Sequence, residues 1–230
     1  DKDYRDIEKG IRSDKNTVLF NGEGKFVDYK TLKVGNKTIK GDKIIIAAGT
    51  RPSIPSIEGL DKVDYMTSDE ALRSTKQPKS LTIIGGGYIA AELAHFYGAL
   101  GTKISIIQRR DVLIPSEDGE IAEKFTKIFS KKYNVFLNSD AIKVSKKNKK
   151  IITIIKNNNN NKNKIKKIVS DKLLVAAGRV PNTDILDVAK TGVKTDKKGY
   201  IKVNKYMETT AKYIWALGDI CGIYLFKHSA

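Results

Sequence analysis

Residues 81–90 constrain this chain more than any other segment. Leu81-Thr82-Ile83-Ile84 is an apolar run of strand length, and it is followed at once by Gly85-x-Gly87-x-x-Ala90 and a helical pattern. In a strand–turn–helix of this kind the first glycine makes a tight turn and the second lets a pyrophosphate approach the backbone. The third small residue lets helix and strand pack closely, with phosphate seated on the helix N-terminus. Ile89, Leu93, Phe96 and Leu100 fall at helical spacing and predict the buried face, Gly101 predicts the helix end, and residues 103–107 predict the next strand. The segment is therefore a βαβ unit with the glycines in its first turn. A second Gly-x-Gly, Gly22-Glu23-Gly24, runs on into another strand, so no helix opens there and it is rejected as a fingerprint.

The end of the second strand is where a nucleotide-binding unit of this kind selects its ligand, because an acid there binds the ribose 2′-hydroxyl of NAD. The residues present are Gln108, Arg109 and Arg110. Two guanidiniums can hold a 2′-phosphate through charge-assisted contacts, so NADP is expected. NAD is the alternative, with Asp111 supplying the acid. Residues 120–130 read as a second helix with Ile121, Phe125, Ile128 and Phe129 on one side, and residues 135–137 as the next strand.

An internal repeat sets the larger organisation. Asp42-Lys43-Ile44-Ile45-Ile46-Ala47-Ala48-Gly49 is echoed 129 residues later by Asp171-Lys172-Leu173-Leu174-Val175-Ala176-Ala177-Gly178. Each copy is a buried-strand pattern ending in a glycine that permits a sharp turn, so two related α/β units are expected. Gly85 precedes Gly178 by 93 residues, and the same spacing before Gly49 falls outside the chain. The first unit is thus expected to be partial, and both ends, Asp1 and Ala230, read as cuts in a longer protein. Gly218-Asp219, after the buried run 213–217, is the expected return to the first unit, with a carboxylate facing ligand hydroxyls. A short helix is expected over residues 183–189 and an extended stretch over 200–203.

Composition narrows the classes further. Lys and Arg number 43 against 26 Asp and Glu, a formal net charge of +17. Ten of the lysines fall between Lys143 and Lys167, a stretch with no acid, read as a β-hairpin whose tip carries the asparagine run 157–161. It has no interleaved aromatics to stack bases, so no nucleic-acid partner is expected. The single cysteine, Cys221, excludes an internal disulfide or a multi-cysteine metal site and is read as a packing residue. His95 is read as structural. Neither a membrane-length apolar run nor a signal peptide is visible, so a cytoplasmic protein with no membrane partner and no metal is expected.

The chain resembles the class I FAD-dependent pyridine nucleotide–disulfide oxidoreductases, the family of glutathione, mycothione and mercuric reductases and dihydrolipoamide dehydrogenase. The resemblance rests on Ala47-Ala48-Gly49-Thr50-Arg51-Pro52, on Gly85 through Glu92, on Gly178-Arg179-Val180-Pro181-Asn182-Thr183 and on Ala216-Leu217-Gly218-Asp219-Ile220-Cys221-Gly222. It implies an α/β fold: a Rossmann-like NAD(P)-binding domain, residues 76–182, inserted in a partial FAD-binding domain of the same type, residues 1–75 and 183–230. It implies an NADP site of Gly85, Gly87, Tyr88, Ile89, Ala90, Gln108, Arg109, Arg110, Gly178 and Arg179. Tyr88 would cover the nicotinamide pocket, and Glu92 would pair with a lysine beside the flavin. It implies FAD contacts from Gly24, Lys25, Ala48, Gly49, Thr50, Asp219, Lys227 and His228. The activity implied is transfer of reducing equivalents between NAD(P)H, FAD and a small-molecule or lipoyl disulfide, in a homodimer. The stretches 88–95 and 224–230 look most like mycothione reductase and dihydrolipoamide dehydrogenase, with a mercuric reductase-like enzyme as the alternative. The redox cysteine pair and the His-Glu acid/base pair of that family are not in this sequence. A second class of function, a non-catalytic NADP-binding module, is weakened by the half-domain at residues 1–55.

Overall fold

A computed structural model describes residues 2–158 and 164–222. The chain forms two compact units, one of residues 1–51 and 180–230 and the other of residues 52–179. The first crossing therefore comes after Arg51 and not after residue 75. Residues 52–75 belong to the second unit because they supply part of its sheet and core. The strand Tyr65–Met66 pairs in parallel with Lys172–Val175, and Ala71, on the short helix Ser68–Leu72, is buried in the core. That helix opens on a capping box, in which Thr67 and Glu70 satisfy each other's backbone donors.

The 52–179 unit is built on a five-stranded parallel sheet. Across it run Tyr65–Met66, Lys172–Val175, Ser80–Ile84, Lys103–Ile107 and Asn134–Phe136. Alternate residues leave the sheet on opposite faces. Leu81, Ile83, Ile104, Ile106 and Leu174 pack with the helices Tyr88–Ala99 and Gly119–Lys132. Ile84, Ile107, Leu173 and Val175 pack with Val144, Ile151, Ile155 and Ile168 of a three-stranded antiparallel sheet, Ser139–Lys147, Lys150–Asn157 and Ile165–Ser170. The expected hairpin is two strands of that sheet, and its tip, residues 159–163, lies outside the described residues. Three of the clustered lysines pair locally: Lys143 with Glu58, Lys146 with Asp64 and Lys150 with Asp171.

Both helices bury only part of the face that their large apolar residues suggest: Leu93 and Phe129 lie in the core with Ile89 and Phe125 packed against it, and the rest of each expected set is exposed. In Tyr88–Ala99 the buried residues are Ala90, Leu93, Ala94 and Tyr97, whereas Phe96 is 52% and Leu100 54% exposed. Close packing on the strands selects the alanine stripe, which turns Phe96 outward. In Gly119–Lys132 the buried set is Ala122, Thr126 and Phe129, with Phe125 partly buried and Ile121 and Ile128 exposed. Thr126 helps to decide this, since its hydroxyl accepts from the Leu113 backbone N–H at 2.8 Å and must face inward.

The unit of residues 1–51 and 180–230 carries the other copy of the repeat. Its strand Ile44–Ile46 pairs in parallel with Ile214–Ala216, beside an antiparallel meander of Gly24–Asp28, Thr31–Val34 and Lys37–Lys40. Phe26, Ile46, Val188, Ile201, Ile214, Ala216 and Ile220 form its core, and Cys221 joins them, its thiol pKa pushed up by burial. The chain also opens with the helix Lys2–Ser13, which the sequence pattern did not suggest. Residues 183–187 form turns rather than the expected helix, and only Val188–Thr191 is helical, as a 3₁₀ turn. Asp187, at φ +54°, interrupts any regular helix there. The extended stretch 200–203 is present as isolated bridges, Thr195 with Ile201 and Val203 with Thr209.

Two features of these units are testable. Thr153, at the centre of the antiparallel sheet, is fully buried and its hydroxyl has no hydrogen-bond partner among the described residues. Thr153→Val is expected to stabilise the unit by about 1 kcal/mol in denaturant unfolding, because it removes an unpaired buried polar group without changing the side chain's shape. Arg51 makes a two-pronged ion pair with Asp184 at 2.8 and 2.6 Å, which holds the Asp184 carboxyl down at about 2. A carboxyl lowered on folding stabilises above its unfolded pKa near 4 and loses that contribution as pH falls through about 2. Asp184→Asn should therefore cost up to about 1 kcal/mol at pH 7, a small value because both groups are solvent-exposed, and the difference from wild type should close between about pH 4 and pH 2.

Candidate functional site

In the 52–179 unit the strands Ser80–Ile84 and Lys172–Val175 lie side by side, and the order reverses there: the chain leaves Ser80–Ile84 for Lys103–Ile107 on one side and returns as Lys172–Val175 on the other. Such a reversal point leaves a crevice at the carboxyl ends of the strands, where ligands of open α/β sheets bind. Gly85 stands there with φ +120°, and a Cβ on it would lie 2.1 Å from the Ala176 carbonyl oxygen. Gly86, which the motif treats as a free position, is equally confined. A Cβ there would press on Gln108 and Leu113 at 2.8–2.9 Å, and its carbonyl accepts from the Ile114 N–H at 2.6 Å.

Gly87 differs from both. It is the N-cap of the helix Tyr88–Ala99, it makes no side-chain cap, and a Cβ on it would meet nothing within 4 Å. The helix therefore opens on free space at Gly87, with no side-chain cap and no acid in its first turn. An anionic group fits these residues. Ala90 is fully buried beneath, and Ile89 packs beside the core.

The residues expected to read the 2′ position divide. Gln108 is buried, and its side-chain amide donates to the Val112 carbonyl at 3.0 Å, so its amide braces the loop. Arg109 and Arg110 are both exposed at the end of the strand Lys103–Ile107. Tyr88 is half-buried, its hydroxyl donating to the Glu117 carboxylate and accepting from Ser116 at 3.2 Å. The bond to Glu117 pushes the Tyr88 phenol pKa up. Neither Ser116 nor Glu117 is marked out by any sequence pattern. Glu92 and His95 are exposed on the same helix. Gly178 adopts φ +126°, its carbonyl accepts from the Ser53 N–H at 2.9 Å, and Arg179 beside it is partly buried.

The other unit repeats this geometry at the ends of Ile44–Ile46 and Ile214–Ala216. Thr50 and Asp219, 169 residues apart, meet there, the Thr50 hydroxyl donating to Asp219 Oδ2 at 3.1 Å. Asn182 secures the turn by donating from its side chain to the Ala48 carbonyl at 2.7 Å and from its backbone to Gly49 at 3.1 Å. That bracing was not foreseen, although Asn182 lies within a quoted motif. Gly24 and Lys25 begin the first strand of the meander, and Lys25 is exposed. Lys227 and His228 lie outside the described residues, as does the stretch 224–230. Among the described residues there is no cluster of three or more His, Cys, Asp or Glu side chains that could hold a metal, and no helix is long and apolar enough to cross a membrane.

Comparison with known proteins agrees with this geometry. The pyridine nucleotide-disulphide oxidoreductase family matches residues 4–230. A mercuric reductase of Staphylococcus aureus is 37% identical over 203 residues, covering 88% of this chain and 36% of that protein. A dihydrolipoyl dehydrogenase of Buchnera aphidicola is 36% identical over 220 residues, covering 93% and 46%. A mycothione reductase of Mycobacterium tuberculosis is 35% identical over 189 residues, covering 82% and 39%. Among solved structures, the HOCl-induced flavoprotein disulfide reductase RclA of Escherichia coli superposes with a TM-score of 0.85 at 28% identity, covering 97% of this chain and 50% of that one. The chain thus spans between about a third and a half of the length of these relatives. With residues 4–230 matched and both glycine-turn units in place, the chain belongs to the pyridine nucleotide-disulphide oxidoreductase family.

Proposed function

We propose that this chain is the nucleotide-handling part of an NADPH-dependent flavoprotein that reduces a disulfide or a related sulfur-bound substrate. The observation that carries this reading is the open helix N-terminus at Gly87, with Arg109 and Arg110 exposed at the end of the next strand. On this reading residues 52–179 hold the nicotinamide nucleotide, and residues 1–51 with 180–230 hold part of the flavin. Bound together, NADPH and FAD supply hydride and electron transfer, chemistry that no side chain in this sequence can provide alone.

The chain's own residues would bind and orient. Gly85, Gly87, Ile89 and Ala90 shape the phosphate cradle, and Arg109 and Arg110 hold the 2′-phosphate through charge-assisted contacts. Gly178 and Arg179 line the same site. Tyr88, held by Glu117 and Ser116, covers the nicotinamide end, while Glu92 faces a lysine supplied from outside this sequence. In the flavin-binding unit Asp219, braced by Thr50, accepts ligand hydroxyls, and Ala48 and Gly49 shape the turn beside them; Gly24, Lys25, Lys227 and His228 complete that site. The intact protein on this reading is a cytoplasmic homodimer. Its substrate is proposed at the level of a small-molecule or lipoyl disulfide, with a mercuric reductase-like activity as the second reading because of the 37% identity to such an enzyme.

Binding of NADP⁺ and NAD⁺, neither of which can reduce a bound flavin, tests the assignment by calorimetry. Arg109→Gln with Arg110→Gln is expected to weaken NADP⁺ by about 10- to 100-fold and to leave NAD⁺ within about twofold, the loss expected for two charge-assisted contacts. NAD⁺ binding as tightly as NADP⁺ in the unaltered protein would refute the NADPH assignment. Gly87→Ala should weaken both nucleotides together while changing stability by less than about 1 kcal/mol, since the new methyl enters free space at an N-cap.

A further inference from the structure

Beside the two arginines the structure brings up a carboxylate from a different strand. Arg109 Nε lies 3.9 Å from Asp140 Oδ1, and the side chains are 72% and 45% exposed. The other Asp140 oxygen accepts from the Asn158 side chain at 2.7 Å. Backbone bonds fix this arrangement: Ser139 donates to Gln108 at 2.9 Å, Asn138 to Arg110 at 2.9 Å, and Asn158 to Asn138 at 2.8 Å. The start of the strand Ser139–Lys147 is thereby tied to the 108–110 loop, and Asn158, in the asparagine run, is tied to Asn138 and Asp140.

We propose that Asp140 is a specificity-determining residue that tempers the preference for NADP over NAD by engaging the Arg109 guanidinium. This inference rests on the reading above, that Arg109 meets the 2′-phosphate. A guanidinium attracted to a neighbouring carboxylate is less available to a second anion. A ribose hydroxyl carries no charge and suffers no such penalty. Asp140 is thus a positioning residue acting through Arg109, and Asn158 keeps it in place.

The test is calorimetric titration of the intact protein with NADP⁺ and NAD⁺. Asp140→Asn keeps the side chain's shape and an oxygen for Asn158 to donate to, and removes only the charge. NADP⁺ is expected to bind about three- to fivefold more tightly in this variant, with NAD⁺ within about twofold, the upper range for one solvent-exposed charge pair. In an Arg109→Gln background the same replacement should gain less than about twofold. An unchanged NADP⁺/NAD⁺ ratio, a change arising only from weaker NAD⁺ binding, or an undiminished gain without Arg109 would each overturn the proposal. If the unaltered protein bound neither nucleotide, the functional reading itself would fall, an outcome distinct from an Asp140→Asn variant that binds both as before.

Discussion

The contact on which the 52–179 unit depends is the approach of one backbone to another, between Gly85 and the carbonyl of Ala176. A methyl group at Gly85 would stand 2.1 Å from that oxygen, so the two neighbouring parallel strands can end together only because the first is followed by a glycine at φ +120°. The turn that results aims the helix Tyr88–Ala99 so that Ala90, Leu93, Ala94 and Tyr97 are buried and Gly87 at its start borders open space. Gly86 is held from below by Gln108 and Leu113, which transmits the position of the next strand to the turn. The cradle for an anion is therefore a by-product of how tightly strand, turn and helix are packed.

The other unit reaches a comparable result with different parts. There the paired strands end at Gly49-Thr50 and Gly218-Asp219, and a threonine–aspartate hydrogen bond joins their ends. Asn182 uses both backbone and side chain to fix the turn after Ile44–Ile46. The two copies of the repeat thus share a strand and a turn. They differ in what the paired strand beside that turn presents: helix donors suited to phosphate after Ser80–Ile84 in one, and a carboxylate suited to hydroxyls after Ile214–Ala216 in the other.

Several expectations changed on meeting the structure, each for a local physical reason. Phe96, Leu100, Ile121 and Ile128 are apolar and correctly spaced, yet they are exposed, because the faces that pack are those of Ala90, Leu93, Ala94 and Tyr97 in one helix and of Ala122, Thr126 and Phe129 in the other. Gln108 looked like a ligand contact from its place at a strand end. Its amide instead satisfies the Val112 carbonyl in a buried loop. The helix expected at 183–189 gives way to turns, since Asp187 adopts a left-handed backbone and Asp184 pairs with Arg51. The boundary moved from residue 75 to residue 51 because Tyr65–Met66 completes a sheet edge, a pairing too short to leave a pattern in the chain.

Sequence alone determined the strand–glycine–helix unit, the repeat of its closing strand, the family and the pair of arginines, because each is a local arrangement in which residue type and spacing dictate backbone geometry. Tertiary structure alone decided which helix faces are buried and which glycine stays open. It also brought Thr50 to Asp219, Tyr88 to Glu117 and Arg109 to Asp140. Those partners are separated by 169, 29 and 31 positions, and no periodicity links residues so far apart. Only the packing of strands, helices and the loops between them sets them side by side.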